Sequence, residues 1–412
     1  MKIAKRYEMV PLDRIVPYAR NARTHSKEQV AQIRASFREF GVLNPCLVDE
    51  QYNLIAGHGR LLAAQAENLA ELNCVVVEGL TEAQKRAYII ADNKLAENAG
   101  WSEELLALEF GELQDLGFDL QLTGFDSAEI EKLFNTSEDV QDDDFDVAAE
   151  LEQPAVTQPG DLWLLGRHRL ICGDSTLQET YAVLMEGKKA NLVVTDLPYN
   201  VNYEGTAGKI QNDNLPREQF YKLILDAFIQ MEIAMADDAS IYVFHADTEG
   251  LNFRRAYDEA GFKLSGTCIW AKNALVLGRS PYQWQHEPVL FGWKKKGKHQ
   301  WYSDRKQSTI WNFDRPAKNT DHPTMKPIPL LAYPITNSSM ENCIVLDPFS
   351  GSFSTGIACE QTNRICFAIE IDPKYVDVSV ARYINQVGGA DDVFVVRDGK
   401  TLPYSEVRHE TV

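Results

Sequence analysis

The chain has 412 residues, which is enough for two or three domains, each with its own hydrophobic core. A content of 44% hydrophobic and 25% charged residues is typical of globular protein, and no apolar run is long enough to cross a bilayer. These features exclude a membrane-spanning or largely disordered chain, and we expect a cytoplasmic protein. The cysteines lack the close spacing of metal ligands, so we expect reduced, buried thiols at Cys46, Cys74, Cys172, Cys268, Cys343, Cys359 and Cys366.

The net charge of −19 is concentrated in one segment. Residues 102–153 contain 17 acidic residues and a single basic one, Lys132, which leaves a net charge of −3 for the rest of the chain. Contact with nucleic-acid phosphates requires a basic face. The acidity of the whole chain therefore does not exclude a nucleic-acid partner, because most of the negative charge belongs to one insert.

Residues 1–98 alternate short β-type runs with amphipathic stretches and predict a small α+β domain. The runs cover residues 46–49, 52–56 and 73–77, and the clearest amphipathic stretch covers 26–40. Directly after the second run, the sequence Gly57-His58-Gly59-Arg60 leads into a helical pattern. Glycines in such a turn allow backbone amides to approach an anion, and the Arg60 guanidinium could fork onto a phosphate.

The stretch Leu54–Ala64 resembles the phosphate-binding turn of the ParB/sulfiredoxin superfamily. This resemblance implies a ParB-like domain, with phosphate or nucleotide binding by Gly57, His58 and Arg60. ParB proteins carry Glu and Arg where this chain has His58 and Gly59, so a nucleotide-hydrolysing role is not implied. The alternative is an ordinary strand-turn-helix with an arginine at the helix start.

Residues 99–159 predict an acidic helical segment and linker. Helices are expected over 103–116 and 126–134. Residues 137–159 lack apolar periodicity, so we expect a solvated spacer that is flexible over 138–152. The alternative is that its acidic side chains mimic phosphate and cover a basic groove.

From residue 160 to residue 412, β-type runs alternate with helical stretches, which predicts an α/β domain with a mostly parallel sheet covered on both faces. Ligands of such sheets bind at the carboxyl ends of the strands. The predicted strands cover 162–164, 168–172, 190–194, 240–244, 343–346 and 365–369, and the predicted helices cover 218–236, 249–260, 354–361 and 373–385.

One of these strands ends in Asp196, Leu197, Pro198 and Tyr199. Pro198 fixes its own φ and biases Leu197 away from helix, so the preceding carbonyls are held in a rigid turn. A carboxylate, a carbonyl and an aromatic ring at one point form a clamp for a planar amino group. Taken alone, an acid at a strand end more often caps its own turn.

A second strand ends in Asp347 and continues through a Gly/Ser turn, 348–352, into a predicted helix. A small-residue turn of this kind allows a nucleotide-like ligand to approach the backbone. Glu370 ends the next strand, at about the spacing from the turn at which an acid binds ribose hydroxyls in dinucleotide folds. The two strand-end motifs together indicate one site.

Five stretches occur in the order found in the beta-type amino methyltransferases, which methylate adenine N6 or cytosine N4 in DNA. They are Gly173-Asp174, Asp196–Tyr199, Tyr282–Trp293, His322–Pro327 and Asp347–Ser352 with Glu370. Residues 160–382 resemble that family, which implies a Rossmann-like fold and S-adenosylmethionine as methyl donor. The resemblance places Asp196, Leu197, Pro198 and Tyr199 at the catalytic clamp.

The same resemblance implies a cofactor site. Glu370 would bind the ribose hydroxyls, Asp174 would lie near the adenine ring, and Thr324 and Lys326 would hold the methionine end. The loop that completes the site would be formed by Asp347, Phe349, Gly351 and Ser352. Lys326 suits this role because a carboxylate in a cleft needs a cation or several donors.

Two positions depart from the family pattern, which usually has Gly at the position of Phe353 and Pro at that of Leu197. The phenyl ring could crowd the cofactor, or it could face away from it. The Leu197 change matters less, because the family uses the backbone carbonyl of that residue. A catalytically impaired DNA-binding or regulatory protein is therefore one alternative.

Residues 272–318 interleave basic and aromatic side chains, which suits contact with phosphates and bases. We expect this segment to recognise double-stranded DNA, with contacts from Lys294, Lys295, Lys296, Lys298 and Arg305. The alternative is a solvated basic hairpin. Asp rather than Ser at position 196 resembles the adenine-N6 members of the family more than most cytosine-N4 members, which favours adenine N6 over cytosine N4 as the target. Methylation of RNA or of a protein amide is a further alternative. A homodimer is one possible oligomeric state.

Overall fold

The computed structural model describes residues 4–135, 140–200, 204–205, 208–209, 214–276, 281–314 and 325–409. The chain divides into two units, Met1–Thr136 and Ser137–Val412. The sequence analysis instead placed boundaries near residues 98 and 159. The two acidic helices therefore belong to the first unit, and the acidic segment after them belongs to the second.

The first unit contains a four-stranded sheet in the order β1-β4-β2-β3, with β1 antiparallel and β2 parallel to β4. Serine and threonine side chains cap its helices: Ser26 accepts a hydrogen bond from Gln29 N, and Thr81 forms a capping box with Gln84. The elements are β1 (Ala4–Pro11), α1 (Lys27–Phe40), β2 (Cys46–Val48), β3 (Leu54–Ala56), α2 (His58–Ala66), β4 (Glu71–Glu78), α3 (Glu82–Glu97), α4 (Glu103–Asp115) and α5 (Ser127–Asn135).

Helices α4 and α5 form a small hydrophobic cluster of their own. Phe110, Leu120 and Leu133 are buried in it, and the Phe110 ring packs edge-on against Phe125 at 5.2 Å between centroids. The predicted helices 103–116 and 126–134 are confirmed within one or two residues.

The second unit is an α/β domain. Its helices are α6 (Val147–Leu151), α7 (Gln178–Met185), α8 (Arg217–Ala234), α9 (Gly250–Glu259), α10 (Ile328–Ser338), α11 (Ser354–Gln361), α12 (Pro373–Val387) and α13 (Tyr404–His409). Its strands are β5 (Leu162–Leu165), β6 (His168–Cys172), β7 (Ala190–Asp196), β8 (Glu204–Gly205), β9 (Gly208–Lys209), β10 (Met235–Phe244), β11 (Phe262–Val276), β12 (Trp284–Lys294), β13 (Ile310–Asn312), β14 (Ile344–Asp347), β15 (Ile365–Glu370), β16 (Val393–Arg397) and β17 (Lys400–Pro403).

The large sheet has the order β13-β11-β12-β10-β7-β14-β15-β6-β5-β16-β17. Its five central strands, β10, β7, β14, β15 and β6, run parallel. Strands β12, β5 and β16 join antiparallel, and a two-residue hairpin too short for a parallel crossover connects β5 to β6. The predicted α/β class is confirmed, but the sheet is mixed: its parallel pairs lie at its centre and between β11 and β13.

Alternate residues of the central strands supply two hydrophobic cores, one on each face of the sheet. In β7, Leu192 and Val194 pack into one core while Val193 packs into the other. The first core includes residues of α10, α11 and α12, and the second includes residues of α7, α8 and α9. Both faces of the central sheet are thus covered, as the apolar strands require.

Six of the seven cysteines are buried, Cys343 is half-buried, and all are free thiols. Within the described residues, no helix is both long and apolar enough to cross a membrane.

The acidic segment 140–159, which we name the strap, packs against the rest of the second unit. Val147 is buried, and the backbone amides of Val156 and Thr157 donate to the Asp377 carboxylate. The expectation of a solvated spacer was therefore wrong for this segment. The segment packs in this way because its carboxylates accept hydrogen bonds from donors in the rest of the second unit, some of which are buried.

Phe353 adopts a left-handed conformation, with φ of 69°, directly before α11. Its side chain is fully buried in the first core, against Gly356, where an added Cβ would lie 2.1 Å from the Phe353 ring. The phenyl ring therefore points into the core, which answers the question that its presence raised in the sequence.

Replacement of Phe353 by glycine should lower the free energy of unfolding. Relief of the left-handed strain contributes roughly 1 kcal/mol, whereas loss of a buried phenyl group costs about 3 to 5 kcal/mol. Denaturant unfolding should show Phe353→Gly less stable than wild type and Phe353→Ala less stable still, because alanine keeps the strain. Wild-type stability in both variants would contradict this assignment.

Candidate active site

The predicted site residues meet at one edge of the sheet, because the central strands run parallel. Phe244 at the end of β10 pairs with Asp196 at the end of β7, and Asp347 at the end of β14 pairs with Ala368. Glu370 at the end of β15 pairs with Cys172. Neighbouring strands are about 4.8 Å apart, so these carboxylates form a short row.

The Asp196 carboxylate is engaged on both oxygens. The Lys326 ammonium donates to Oδ2 at 2.5 Å. The Tyr199 hydroxyl lies 2.8 Å from Oδ1 and 2.9 Å from Glu287 Oε2, so its single proton can serve either carboxylate. Lys326 also donates to the Tyr199 oxygen at 2.9 Å. The clamp predicted from the sequence thus includes a lysine that closes it.

Glu287 completes this cluster, although the sequence analysis gave it no role. One of its oxygens accepts from Lys272 at 2.5 Å and the other lies 3.2 Å from Lys326. Glu287 reaches the edge because β12 runs antiparallel to β10 and pairs Glu287 with Trp270 of β11. The available signal was an acid directly before the apolar run Pro288-Val289-Leu290.

The charges of the cluster depend on one another. Burial acts to raise the pKa of Glu287, but Lys326 and Lys272 outweigh it and lower the pKa to about 2. Burial also acts to lower the pKa of Lys326, and the two carboxylates reverse this and raise it. Burial raises the pKa of Asp196 despite the neighbouring ammonium. Asp196 is therefore the carboxylate of the pair that accepts a proton more readily.

Leu197 is 1% exposed, and its side chain packs in the second core. Pro198 and Tyr199 follow it directly and are half-buried. Because the leucine side chain is removed into the core, only the backbone of residue 197 can line the site.

The predicted cofactor loop is held between two acids. Asp347 accepts from Thr195 Oγ1 at 2.9 Å and from Phe349 N at 3.2 Å. Glu370 accepts from Gly351 N at 2.9 Å, where the backbone has φ of 52°. Burial raises the pKa of Asp347 to about 6 and that of Glu370 to about 7.

Residues Gly173 and Asp174 lie beside this loop. Gly173 N donates to the Glu370 carbonyl at 2.9 Å, and Asp174 Oδ1 accepts from the backbone and hydroxyl of Thr176. Ser352 is tied to α12 through Arg382. The structure therefore brings together Asp174, Asp347, Phe349, Gly351, Ser352 and Glu370. Their geometry suits a ligand with a ribose, since a carboxylate accepts from paired hydroxyls.

Thr324 and Lys326 complete the set of predicted cofactor residues. Thr324 is outside the described residues. Lys326, predicted to hold the methionine end of the cofactor, instead donates to Asp196 and lies beside Glu287. Its role toward the cofactor stays a prediction.

The predicted DNA-contacting lysines lie toward the opposite edge of the sheet. In the antiparallel pair of β10 and β12, Val289 is opposite Phe244, which neighbours Asp196, whereas Trp293 is opposite Ser240. Four residues of strand separate these positions, or roughly 13 Å. Lys294 pairs with Glu232 and Asp237, and Lys295 with Asp258.

Lys296 and Lys298 follow β12 on that side, where Lys298 N donates to the Asp237 carbonyl. The prediction that these residues contact DNA rests on composition alone, which gives no distance from Asp196. Contact of Lys294, Lys295, Lys296, Lys298 and Arg305 with DNA stays a prediction, and the strand register puts contacts from Lys294 and Lys295 away from Asp196.

In the first unit, Gly57 precedes α2 with φ of 103°. An added Cβ there would lie 2.7 Å from Cys46 Sγ and 3.0 Å from the Arg60 guanidinium, so the turn requires glycine. His58 Nε2 and Arg60 Nε are buried and lack a hydrogen-bond partner within the described part of the chain. Burial also lowers the pKa of His58. The three residues predicted to contact phosphate therefore form one turn with unused donors.

Three family models match the chain. The model described as "DNA methylase" matches residues 190–381, "ParB-methyltransferase HTH domain" matches 104–159, and "ParB N-terminal domain" matches 2–93. The first and third matches fall within the two regions that showed resemblances, and the second covers residues 104–159, where the sequence predicts an acidic helical segment and linker.

Relatives match each part separately. The ParB-like nuclease domain-containing protein YnaK of Escherichia coli (strain K12) is 50% identical over 76 residues, which is 18% of this chain and 87% of YnaK. The DNA adenine methyltransferase YhdJ of the same strain is 25% identical over 230 residues, 47% of this chain and 76% of YhdJ. The structure of the M1.HpyAVI–SAM complex covers 52% of this chain and 98% of its own, at 23% identity and a TM-score of 0.40.

The fold and site define a DNA methylase domain joined to a ParB-like domain. Residues 190–381 belong to the DNA methylase family of N6/N4 amino methyltransferases, and residues 2–93 form a ParB N-terminal domain. The family predicted from the sequence is confirmed.

Binding of S-adenosylmethionine should weaken as pH falls through about 7, because Glu370 accepts ribose hydroxyls in its ionised form. Its pKa is raised, so protonation begins near neutral pH and the affinity should fall by up to about tenfold per unit below it. Calorimetry across this range would measure the effect. In Glu370→Gln the same titration should be flat near pH 7; an unchanged slope would assign the titration to another group.

Proposed function

We propose that this chain transfers a methyl group from S-adenosylmethionine to adenine N6 in DNA. The observation that carries the proposal is the position of the Asp196 clamp beside the loop held by Glu370, at one sheet edge. Asp at position 196 supports adenine as the target. Cytosine N4 is the second candidate, because the same clamp accepts any planar amino group.

An exocyclic amine is a poor nucleophile because its lone pair is delocalised into the ring. Hydrogen bonds from its two hydrogens to the Asp196 carboxylate and the Leu197 carbonyl favour a pyramidal, more nucleophilic nitrogen. S-adenosylmethionine, when bound, supplies an electrophilic methyl group. The amine attacks in line, so positioning and electrostatics provide the rate and no cysteine or serine nucleophile is needed.

Lys326 and Tyr199 each already donate to one oxygen of Asp196, so a substrate amine must either share an oxygen with one of these donors or displace it. Glu287 lies within reach of both donors, at 3.2 Å from the ammonium and 2.9 Å from the hydroxyl. We infer that Glu287 holds Lys326 and Tyr199 when Asp196 turns to the substrate. The raised pKa of Asp196 then suits it to take the proton that the methylated amine releases.

The target base has to leave the duplex to reach a carboxylate at a sheet edge. Tyr199 is placed to stack on it, and burial raises the pKa of its hydroxyl, so the phenol stays protonated. The hydroxyl contacts to Asp196 and Glu287 fix the orientation of the ring.

The hypothesis of a catalytically impaired protein rested on Phe353 and Leu197, and neither residue now supports it. Phe353 points into the core, and Leu197 contributes only its backbone. Methylation of RNA or of a protein amide has no described feature in its favour.

The ParB-like unit is proposed to bind a phosphate or nucleotide at Gly57, His58 and Arg60. The support is the pair of buried donors without hydrogen-bond partners among the described residues. A homodimer stays a prediction.

Nucleoside analysis of duplex DNA after incubation with tritiated S-adenosylmethionine tests the target. Label in N6-methyladenine is expected. Label in cytosine would move the assignment to N4, and absence of label from DNA would contradict the proposal.

Asp196→Ala should abolish methyl transfer, because the amine loses its main acceptor, while S-adenosylmethionine binding persists. Filter assays of transfer and calorimetry of cofactor binding measure the two properties separately. Measurable turnover at the wild-type rate would refute the role given to Asp196.

Glu287→Gln should lower kcat by about 100-fold, the scale of losing one preorganised charge in a buried site. Cofactor affinity should change little. Asp258→Asn is a matched control, since it neutralises another lysine-paired carboxylate at the far edge. Equal kcat in the two variants would exclude the proposed exchange of partners.

A further inference from the structure

An ion pair attaches the strap to the rest of the second unit. Asp143 Oδ2 lies 2.6 Å from Arg382 Nε, and Asp143 Oδ1 lies 3.1 Å from Nη2. The two side chains are 8% and 1% exposed. This is the forked geometry in which a guanidinium holds a carboxylate most firmly.

The other end of the same guanidinium holds the cofactor loop. Arg382 Nη1 donates to the Ser352 carbonyl at 2.8 Å, to Ser352 Oγ at 3.2 Å and to Ser354 Oγ at 2.9 Å. Arg382 therefore connects three segments: the strap, helix α12 and the loop that leads into α11.

Neighbouring strap residues contact two further helices of the site. Asp142 Oδ1 accepts from Ile328 N at 2.7 Å, at the start of α10 and two residues after Lys326. Gln141 and Gln361 exchange two hydrogen bonds at the end of α11. Three consecutive strap residues thus touch the three helices that carry the cofactor loop and Lys326.

The buried Arg382 charge makes the contact with the strap energetically important. Within the described residues, Asp143 is the one acid in an ion pair with Arg382. Removal of a single partner from a buried pair is strongly destabilising, because the other charge is left without compensation. A guanidinium without Asp143 would have to move toward water, and its contacts to Ser352 and Ser354 would move with it.

We propose that Asp143 and Arg382 are positioning residues for cofactor binding, so that the strap is part of the cofactor site. This inference rests on the proposed function, in which residues 349–352 bind S-adenosylmethionine. The segment that follows the helical part of the first unit then sets the affinity for the methyl donor.

The test compares full-length Asp143→Asn with full-length Glu152→Gln, which neutralises an exposed acid of the same strap. Calorimetry should give a Kd for S-adenosylmethionine about tenfold higher in Asp143→Asn and unchanged in the control. The KM for S-adenosylmethionine should rise equally, while kcat at saturating cofactor and the KM for DNA stay at wild-type values. Equal Kd values in the two variants would overturn the proposal.

A double-variant cycle separates positioning from a general loss of stability. Asp143 acts through Arg382, so Asp143→Asn combined with Arg382→Gln should bind the cofactor no more weakly than Arg382→Gln alone. Additive losses would contradict the shared contact.

Ser354→Ala keeps the ion pair and removes one acceptor of Arg382 at the loop, and it decides the matter if Asp143→Asn fails to fold. A Kd raised several-fold supports the proposal, and a wild-type Kd overturns it. If the wild-type protein does not bind S-adenosylmethionine, the proposed function fails; if it binds and all variants bind equally, only the role of the strap fails.

Discussion

The active site depends on a buried cluster of opposite charges, none of which could be buried there without the others. An isolated ion in the protein interior costs several kcal/mol, so each of Asp196, Glu287, Lys272 and Lys326 needs the others. This mutual dependence selects one arrangement of the sheet edge. It also leaves Asp196 with a choice of partners, because Lys326 and Tyr199 each lie between two carboxylates.

The two halves of the sheet contribute different parts of this chemistry. Parallel strands deliver Asp196, Asp347 and Glu370 to one edge, which is the usual ligand edge of α/β domains. The antiparallel flank delivers Glu287 and Lys272 from β12 and β11. The acids predicted to bind the cofactor therefore lie on the central strands, whereas Glu287 and Lys272, which belong to the charge cluster around Asp196, lie on strands outside them.

Much of this site could be predicted from the sequence, because it lies at the ends of strongly apolar strands. Asp196, Asp347 and Glu370 are each the first acid after such a run, and parallel strands end at one edge. The role of Glu287 could not be predicted in this way, since it depends on the antiparallel register of β12. The same register moved Lys294 away from the site, which composition does not reveal.

The strap shows a different limit of local sequence patterns. Its acidity suggested solvent exposure, yet the partner of Asp143 is an arginine 239 residues further along the chain. Arg382 lies in an amphipathic helix, where an arginine is ordinarily assigned to the solvated face. Buried ion pairs between distant segments therefore appear in a sequence as two unremarkable surface charges.

Phe353 and Gly356 share a single volume, because the ring of one fills the space that a side chain on the other would need. Only one of the two positions can therefore carry a large side chain. Among relatives with glycine at the position of Phe353, the space above α11 is open to a larger residue at the position of Gly356. The two positions should therefore vary together across the family, and the phenylalanine is one of two ways to fill the same part of the core.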